Sequence, residues 1–240
     1  QRHRPAAGQE ARQAAGPAGS SRLCGCRLYG QGRSEDLLII PDTAKAAGPT
    51  VCRFFVLLLC AEDGGVVRLE LLDALIGAFV DAHPQIDRSR IYIGGCSNGG
   101  FMTMKQIIFN PSRYAAAYPV CEALADAFIS DEDILKLKDL PIWFTHAKTD
   151  PVVVPDDFVV PTYERLAKVN PNAHFTYWDK VLDHTGTQKN ADGTPFEYIG
   201  HWSWIPMLND ECVLDYDGKP VITDGKETPI LEWMAAQKKA

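Results

Sequence analysis

The sequence of 240 residues lacks a long hydrophobic run. Its longest apolar stretch, residues 54–61, has eight residues, whereas a membrane-spanning helix needs about 20. The first twenty residues are mostly Ala, Gly, Gln and Arg, without the apolar segment of a signal peptide. We therefore expect no membrane span. The chain begins with Gln1 rather than methionine, which indicates a fragment or a processed product, so the compartment stays open.

Positive charge is also scarce. The chain has 24 Lys and Arg against 31 Asp and Glu, which gives a net charge of −7 and a pI of about 5.4. Binding to nucleic acid requires a basic face that can neutralise phosphates, so we expect no nucleic-acid partner. The hydrophobic fraction of 46% is sufficient for the core of one domain. The sequence does not indicate an oligomeric state.

The seven cysteines lack the spacing of a zinc site. Cys24 and Cys26 are the only close pair, and no second pair follows at the distance that such sites use. We therefore expect scattered free thiols and no metal. A bridge between Cys121 and Cys212 is the alternative, because both lie near the expected site, but sequence alone does not set connectivity.

The first 65 residues lack tryptophan and contain a single lysine, Lys45. They carry a net charge of +2, whereas residues 66–240 carry −9 and hold all five tryptophans. Residues 1–33 follow neither a helical nor a strand period, so we expect a disordered or aberrant segment there. Residues 34–240 are predicted to form a single domain.

Strand and helix patterns alternate along this domain, which predicts a mostly parallel sheet with helices on both faces. Pro84 is expected to end the first helix at His83, since the residue before proline disfavours helix. The predicted strands are residues 35–41, 51–61, 90–94, 114–120, 141–146 and 174–178, and the predicted helices are 69–83, 98–109, 157–169 and 229–238. The run 54–60 is the most apolar, so we expect it beside strand 90–94.

The segment Gly95-Cys96-Ser97-Asn98-Gly99 matches the G-x-S-x-G pattern between a predicted strand and a predicted helix. A sharp turn there would lift the Ser97 hydroxyl to the carboxyl end of the sheet, so Ser97 is the predicted nucleophile. The backbone N–H of Asn98 is the predicted oxyanion donor. Cys96 is a weaker rival, because the elbow exposes its central residue. The alternative is a glycine-rich connection with an idle serine.

A serine nucleophile needs a base and an orienting carboxylate, in the chain order Ser, Asp, His for this kind of elbow. Asp150 follows the strand 141–146 by four residues and is the predicted acid, with Asp179 in reserve. His201 comes after the last long strand and is the predicted base, with His184 as the alternative. His146 comes too early in this order. A turn-capping aspartate and a surface histidine are the structural alternatives.

Aromatic residues near these motifs are candidates to line a substrate pocket. They are Phe101, Tyr118, Trp202 and Trp204, while Met102 and Trp143 fit core packing at least as well. The second oxyanion donor normally comes from an early loop that is often marked by His-Gly. Residues 1–65 contain no His-Gly, and the turn 61–65 carries two acidic side chains, so we expect no such donor there.

Three segments resemble polyhydroxybutyrate-depolymerase-like and prolyl-oligopeptidase-like serine esterases: residues 86–100, 141–153 and 200–202. The resemblance covers roughly residues 66–235, with the three motifs in the order of the family. It implies an α/β-hydrolase fold, no cofactor or metal, and cleavage of carboxylic esters. Carried onto this chain, it implies Ser97, Asp150 and His201 as the catalytic triad.

The chain departs from this family in two ways. Related feruloyl esterases join Cys-Ser to His-Cys by a disulfide, but here Trp202 follows His201, so that bridge is not supported. Residues 1–65 do not resemble the early strands of the family. This favours a frame-shifted or otherwise corrupted N-terminal sequence over a truly divergent one.

The sequence thus predicts a carboxylic ester hydrolase that works through an acyl-enzyme on a small-molecule or polymer-derived ester. A serine peptidase of the prolyl-oligopeptidase type and a non-catalytic or truncated hydrolase-fold chain remain as alternatives.

Overall fold

The computed structural model describes residues 68–239 in full and, before them, the backbone of two strands, Asp36–Asp42 and Arg53–Leu58. The expectations for residues 1–33 and for the turn 61–65 lie outside the described residues. The division into an N-terminal segment and one domain therefore stays a prediction.

The strands and helices alternate as a parallel sheet requires. In chain order they are β1 Asp36–Asp42, β2 Arg53–Leu58, α1 Leu69–Ala82, β3 Tyr92–Cys96, α2 Asn98–Phe109, β4 Ala116–Val120, α3 Asp131–Lys136, β5 Ile142–Ala147, α4 Val159–Leu166, β6 Ala173–Trp178, β7 Val181–Leu182, β8 Glu197–Tyr198, α5 Trp204–Leu208, β9 Ile222–Thr223, β10 Lys226–Glu227 and α6 Ile230–Ala236. The predicted bounds of α2 are confirmed, and α1 ends one residue before His83. Helix α4 is shorter than predicted, because residues 155–157 form a separate 3-10 turn.

The main sheet has six strands in the order β2-β1-β3-β4-β5-β6. Strands β3 to β6 are parallel, whereas β1 runs antiparallel to both of its neighbours and places Leu37 opposite Gly94. The prediction that residues 54–60 lie beside the elbow strand is therefore wrong. Strand β1 takes that place and β2 forms the edge, because β2 pairs along the whole of β1 and the two enter the sheet together.

Alternate residues of the central strands face opposite sides of the sheet, as the strand period requires. On β3, Ile93 packs in the core beneath α1, α2 and α4, while Tyr92 packs in the second core beneath α5 and α6. Phe144 and Trp143 divide in the same way on β5. Every position of β4 and β5 is buried, which is typical of a parallel sheet covered on both faces.

The longest helix among the described residues is α1, with 14 residues. Within that part of the chain, no helix has the length and apolar character to cross a membrane.

Candidate active site

Ser97 stands at a sharp turn between β3 and α2. Its backbone adopts φ 60° and ψ −112°, a strained region for a residue with a side chain. Its N–H donates to the carbonyl of Val120 on β4 at 3.0 Å, which fixes the turn to the sheet. The preceding Gly95 is required by close approach, because a Cβ there would lie 2.6 Å from the carbonyl carbon of Gly99. The segment thus adopts the sharp strand–turn–helix geometry that the G-x-S-x-G pattern predicts.

Asp150 lies on the loop after β5, with its carboxylate buried. Oδ1 accepts hydrogen bonds from the backbone N–H groups of Val152 and Val153 at 2.8 and 3.0 Å. Oδ2 faces His146 Nε2 at 2.9 Å and His201 Nδ1 at 2.8 Å. Burial by itself raises the pKa of Asp150, but these four donors outweigh it and hold the pKa well below its usual value. Asp150 is therefore a carboxylate at neutral pH.

His146 is a partner of Asp150 that the sequence analysis dismissed. Its Nε2 also lies 3.0 Å from the carbonyl oxygen of Val153, so both groups facing this nitrogen are acceptors and Nε2 carries the proton. Its Nδ1 is buried and has no hydrogen-bond partner among the described residues. Its position at the end of β5, four residues before Asp150, was the available sequence signal.

His201 connects the other two predicted residues. Its Nδ1 lies 2.8 Å from Asp150 Oδ2 and its Nε2 lies 3.0 Å from Ser97 Oγ. The hydrogen bond with Asp150, followed by the contact with Cys121, raises the pKa of His201 to about 9. Gly200 allows this approach, since a Cβ there would lie 2.3 Å from the carbonyl carbon of Thr149. The backbone before His201 thus packs directly on the loop that carries Asp150.

The reserve residues lie apart from this cluster. His184 is half exposed and pairs with Glu211 Oε2 at 2.7 Å. Asp179 is exposed and pairs with Lys148. The structure therefore brings together Ser97, Asp150 and His201, and neither alternative joins them.

The predicted pocket residues divide into two groups. The ring of Trp204 stands edge-on to His201 at 6.0 Å, and Trp202, 40% exposed, lies 5.9 Å from Trp204. Phe101 packs against the core beneath α1 and α2.

Tyr118 is enclosed in the opposite core, with its ring over Gly94, so its assignment to the pocket is corrected. The alternation of β4 directs Tyr118 into the core, which the motif alone did not indicate.

Cys121 is a second group near the site, for which the sequence indicated only a possible disulfide with Cys212. It follows β4 with a φ of 44°, and its Sγ lies 2.9 Å from Ser203 Oγ and 3.0 Å from the carbonyl oxygen of His201. Cys212 instead lies near Thr145 Oγ1, at 3.5 Å. Both are free cysteines, so the possible Cys121–Cys212 bridge is wrong.

Asn98, the predicted oxyanion donor, is exposed and begins α2. Its backbone N–H therefore lies at the positive end of the helix dipole, next to Ser97. The turn 61–65, from which the sequence predicts no second donor, lies outside the described residues, so the oxyanion assignment remains a prediction.

A mostly parallel sheet, a strained serine after β3 and an Asp–His pair on later loops define the α/β-hydrolase class. The chain belongs to the phospholipase/carboxylesterase family, whose profile matches residues 62–189, just over half of its length. A search of curated proteins gave no significant match.

Several solved structures are similar to this chain, and the first of those described here shares its fold. A thermostable esterase is 24% identical with a TM-score of 0.56, over 78% of this chain and 44% of the esterase. The acylaminoacyl peptidase of Pyrococcus horikoshii is 16% identical with a TM-score of 0.44, over 54% of this chain and 28% of the peptidase. An S-formylglutathione hydrolase of Agrobacterium tumefaciens is 16% identical with a TM-score of 0.36, over 45% and 47%. This chain thus spans less than half of each of these proteins.

Proposed function

We propose that the protein is a carboxylic ester hydrolase in which Ser97 is the nucleophile, His201 the general base and Asp150 the orienting carboxylate. The observation that carries the proposal is the 3.0 Å separation of His201 Nε2 from Ser97 Oγ, with Nδ1 held 2.8 Å from Asp150. These separations fit direct proton transfer from the hydroxyl to the imidazole. Membership of the carboxylesterase family supports the ester as substrate.

In the first half of the reaction His201 accepts the Ser97 proton as Oγ bonds to the ester carbonyl carbon. Asp150 stabilises the imidazolium without itself taking the proton. The imidazolium then gives the proton to the departing alcohol oxygen as the C–O bond breaks, which leaves an acyl-enzyme. Water repeats these steps in the second half, and its proton passes through His201 to Ser97 as the carboxylic acid leaves.

Negative charge on the carbonyl oxygen needs hydrogen-bond donors. The Asn98 N–H at the start of α2 supplies one in this proposal. Loss of one donor typically costs about 100- to 1000-fold in turnover. A chain without a second donor would therefore be a slow esterase even with its three side chains in place.

Trp202 and Trp204, beside His201, provide apolar surface for the acyl or alcohol part of the ester.

The test is covalent labelling with a fluorophosphonate, followed by mass spectrometry of the digested protein. We expect one adduct on the peptide that contains Ser97, and neither adduct nor hydrolysis of p-nitrophenyl acetate in Ser97→Ala. Ser112→Ala, which removes an exposed hydroxyl on a 3-10 turn, is the control and should react like the original chain. An adduct on another residue, or faster cleavage of a short peptide anilide than of the ester, contradicts the proposal.

A further inference from the structure

Cys121 places a sulfur beside the Asp150–His201 pair. Its Sγ, a carboxylate oxygen of Asp150 and a ring nitrogen of His201 all lie within 4.8 Å of one another. The thiol plays no part in the ester hydrolysis proposed above, on which the present inference rests. We propose that these three side chains form an inhibitory site for Zn²⁺ or a similar thiophilic divalent cation.

The donor atoms suit zinc in kind. Thiolate, imidazole and carboxylate are its usual protein ligands, whereas Mg²⁺ and Ca²⁺ select sets of oxygen atoms. One thiolate and one carboxylate also balance the two positive charges of the ion. A neutral complex is needed here, because Cys121 and Asp150 are buried and a net charge would be costly to desolvate.

The spacing of the donors is close to what the ion requires. Zinc bonds of about 2.0–2.3 Å with tetrahedral angles separate the ligand atoms by roughly 3.4–3.8 Å. The three donor atoms lie within 4.8 Å of one another, and Asp150 Oδ2 and His201 Nδ1, now hydrogen-bonded at 2.8 Å, must move apart by roughly 0.6 Å to reach this arrangement. His201 is partly exposed, so the ion can approach from that side, with water as its fourth ligand.

Binding requires the Cys121 thiolate, so the proton that Sγ donates to the His201 carbonyl oxygen at 3.0 Å must leave. The Ser203 hydroxyl, 2.9 Å from Sγ, can donate to the charged sulfur. Any proton still on Cys121 or His201 is released to solvent as the metal bonds form.

The consequence for the site is reversible inhibition. An ion bound to His201 and Asp150 takes the imidazole lone pair and the carboxylate that proton transfer from Ser97 would need. Cys121 therefore gives the site a metal sensitivity that a Ser–His–Asp arrangement lacks by itself. Removal of the metal by a chelator should restore the original hydrogen bonds.

The binding test uses Co²⁺ as a spectroscopic probe for the zinc site, with a thiol-free reductant present. We expect a thiolate-to-cobalt charge-transfer band that saturates at one equivalent and disappears when Zn²⁺ is added. Cys121→Ser should lose this band. Cys212→Ser, which removes another buried thiol and leaves the three ligands intact, should keep it. An undiminished band in Cys121→Ser places the metal on other cysteines and overturns the inference.

The activity test follows ester hydrolysis with the same variants. Zn²⁺ should inhibit the original chain and Cys212→Ser, EDTA should restore activity, and Mg²⁺ and Ca²⁺ should have no effect. Cys121→Ser should need at least about tenfold more Zn²⁺ for the same inhibition. Equal zinc sensitivity of both variants overturns the inference. The cobalt band does not depend on turnover, so a chain that binds metal but hydrolyses no ester contradicts only the proposed function.

Discussion

At the scale of single residues, the Asp150 carboxylate is the centre of the site. It accepts from two backbone N–H groups and two histidines, which together hold the carboxylate in one orientation. Because the backbone fixes Oδ1, Oδ2 is held toward His201 and sets the position of that ring. His146 shares Oδ2, which makes it a positioning residue that acts through Asp150 and does not touch Ser97.

Replacing His146 tests this positioning role. In His146→Leu, one hydrogen bond to a charged acceptor is lost, a contribution of about 1.5–3 kcal/mol. We expect kcat for ester hydrolysis to fall roughly 10- to 100-fold, with KM little changed. His146→Gln can present an amide N–H near the position of Nε2 and should recover part of the loss. Equal loss in both variants, with unfolding shown by circular dichroism, would indicate only a structural role.

The raised pKa of His201 predicts the pH dependence of hydrolysis. The base must be neutral to accept the Ser97 proton, and hydrogen bonding to Asp150 raises its pKa to about 9. An ordinary histidine, with a pKa near 6.5, would give a kcat/KM that levels off soon above that pH. We therefore expect kcat/KM, measured with EDTA present, to keep rising with pH and to level off only above about pH 9. A plateau already reached at pH 7 would show that the pKa of the His201 imidazole is not raised in this way.

At the scale of elements, the side chains of the candidate site stand at junctions between a strand and the segment that follows it. Ser97 follows β3, Cys121 follows β4 and Asp150 lies on the loop after β5. Parallel strands end at the same edge of the sheet, so these junctions converge although they are far apart in sequence. The helices keep the junctions in place by packing on the sheet and on each other.

Asp73 joins α1 to the end of α2 and the turn after it. Its carboxylate binds Arg113 through both oxygens and also accepts from Gln106 and Asn110. Both charged groups are largely buried, with 22% and 19% of their side chains exposed. We expect Asp73→Asn to lower the free energy of unfolding by about 1.5–3 kcal/mol in urea denaturation at pH 7.

A pH series and a surface pair provide the controls for Asp73. Hydrogen bonding to Arg113 lowers the pKa of Asp73, so its contribution is present above the unfolded carboxyl pKa of about 3.9 and is lost as the pH falls through the folded value. The difference between the two proteins should therefore shrink in acid. Asp81→Asn, which breaks an exposed pair with Arg88, should change stability by less than about 1 kcal/mol.

At the scale of the whole molecule, the sheet separates two apolar cores. The C-terminal helix α6 closes one of them, and its Trp233 stands edge-on to Trp143 of β5 at 5.3 Å. The chain after α6 returns to the start of β3, where Tyr92 Oη donates to the carbonyl of Gln237 at 3.0 Å. Helix α6 and the residues that follow it thus cover part of the sheet face opposite α1 and α2.

Trp233→Ala tests how much this closure contributes to stability. Trp233 is only 3% exposed, and truncation of such a residue typically costs about 3–5 kcal/mol because it leaves a cavity. We expect the unfolding free energy in urea to fall by that amount. The matched control is Trp202→Ala, which removes a half-exposed ring and should cost about 1 kcal/mol or less. Comparable losses in the two variants would contradict the assignment of Trp233 to the core.

The sequence by itself determined what depends on local pattern. The apolar period and Pro84 set the end of α1, and the G-x-S-x-G segment set the start of α2 at Asn98. The alternation of strands and helices indicated a parallel sheet, because each crossover needs an intervening segment. These features follow from backbone conformation and from the burial of neighbouring residues, which are readable along the chain.

Only the tertiary structure decided the contacts between distant segments. The order β2-β1-β3 depends on pairing across the sheet, which apolar content does not encode. Tyr118 lies in the core because β4 has a fixed register between β3 and β5. Likewise, His146 and Cys121 reach the site because their strands end at the same edge as β3. Their spacing in sequence carries no record of that edge, since it is created when the strands pair.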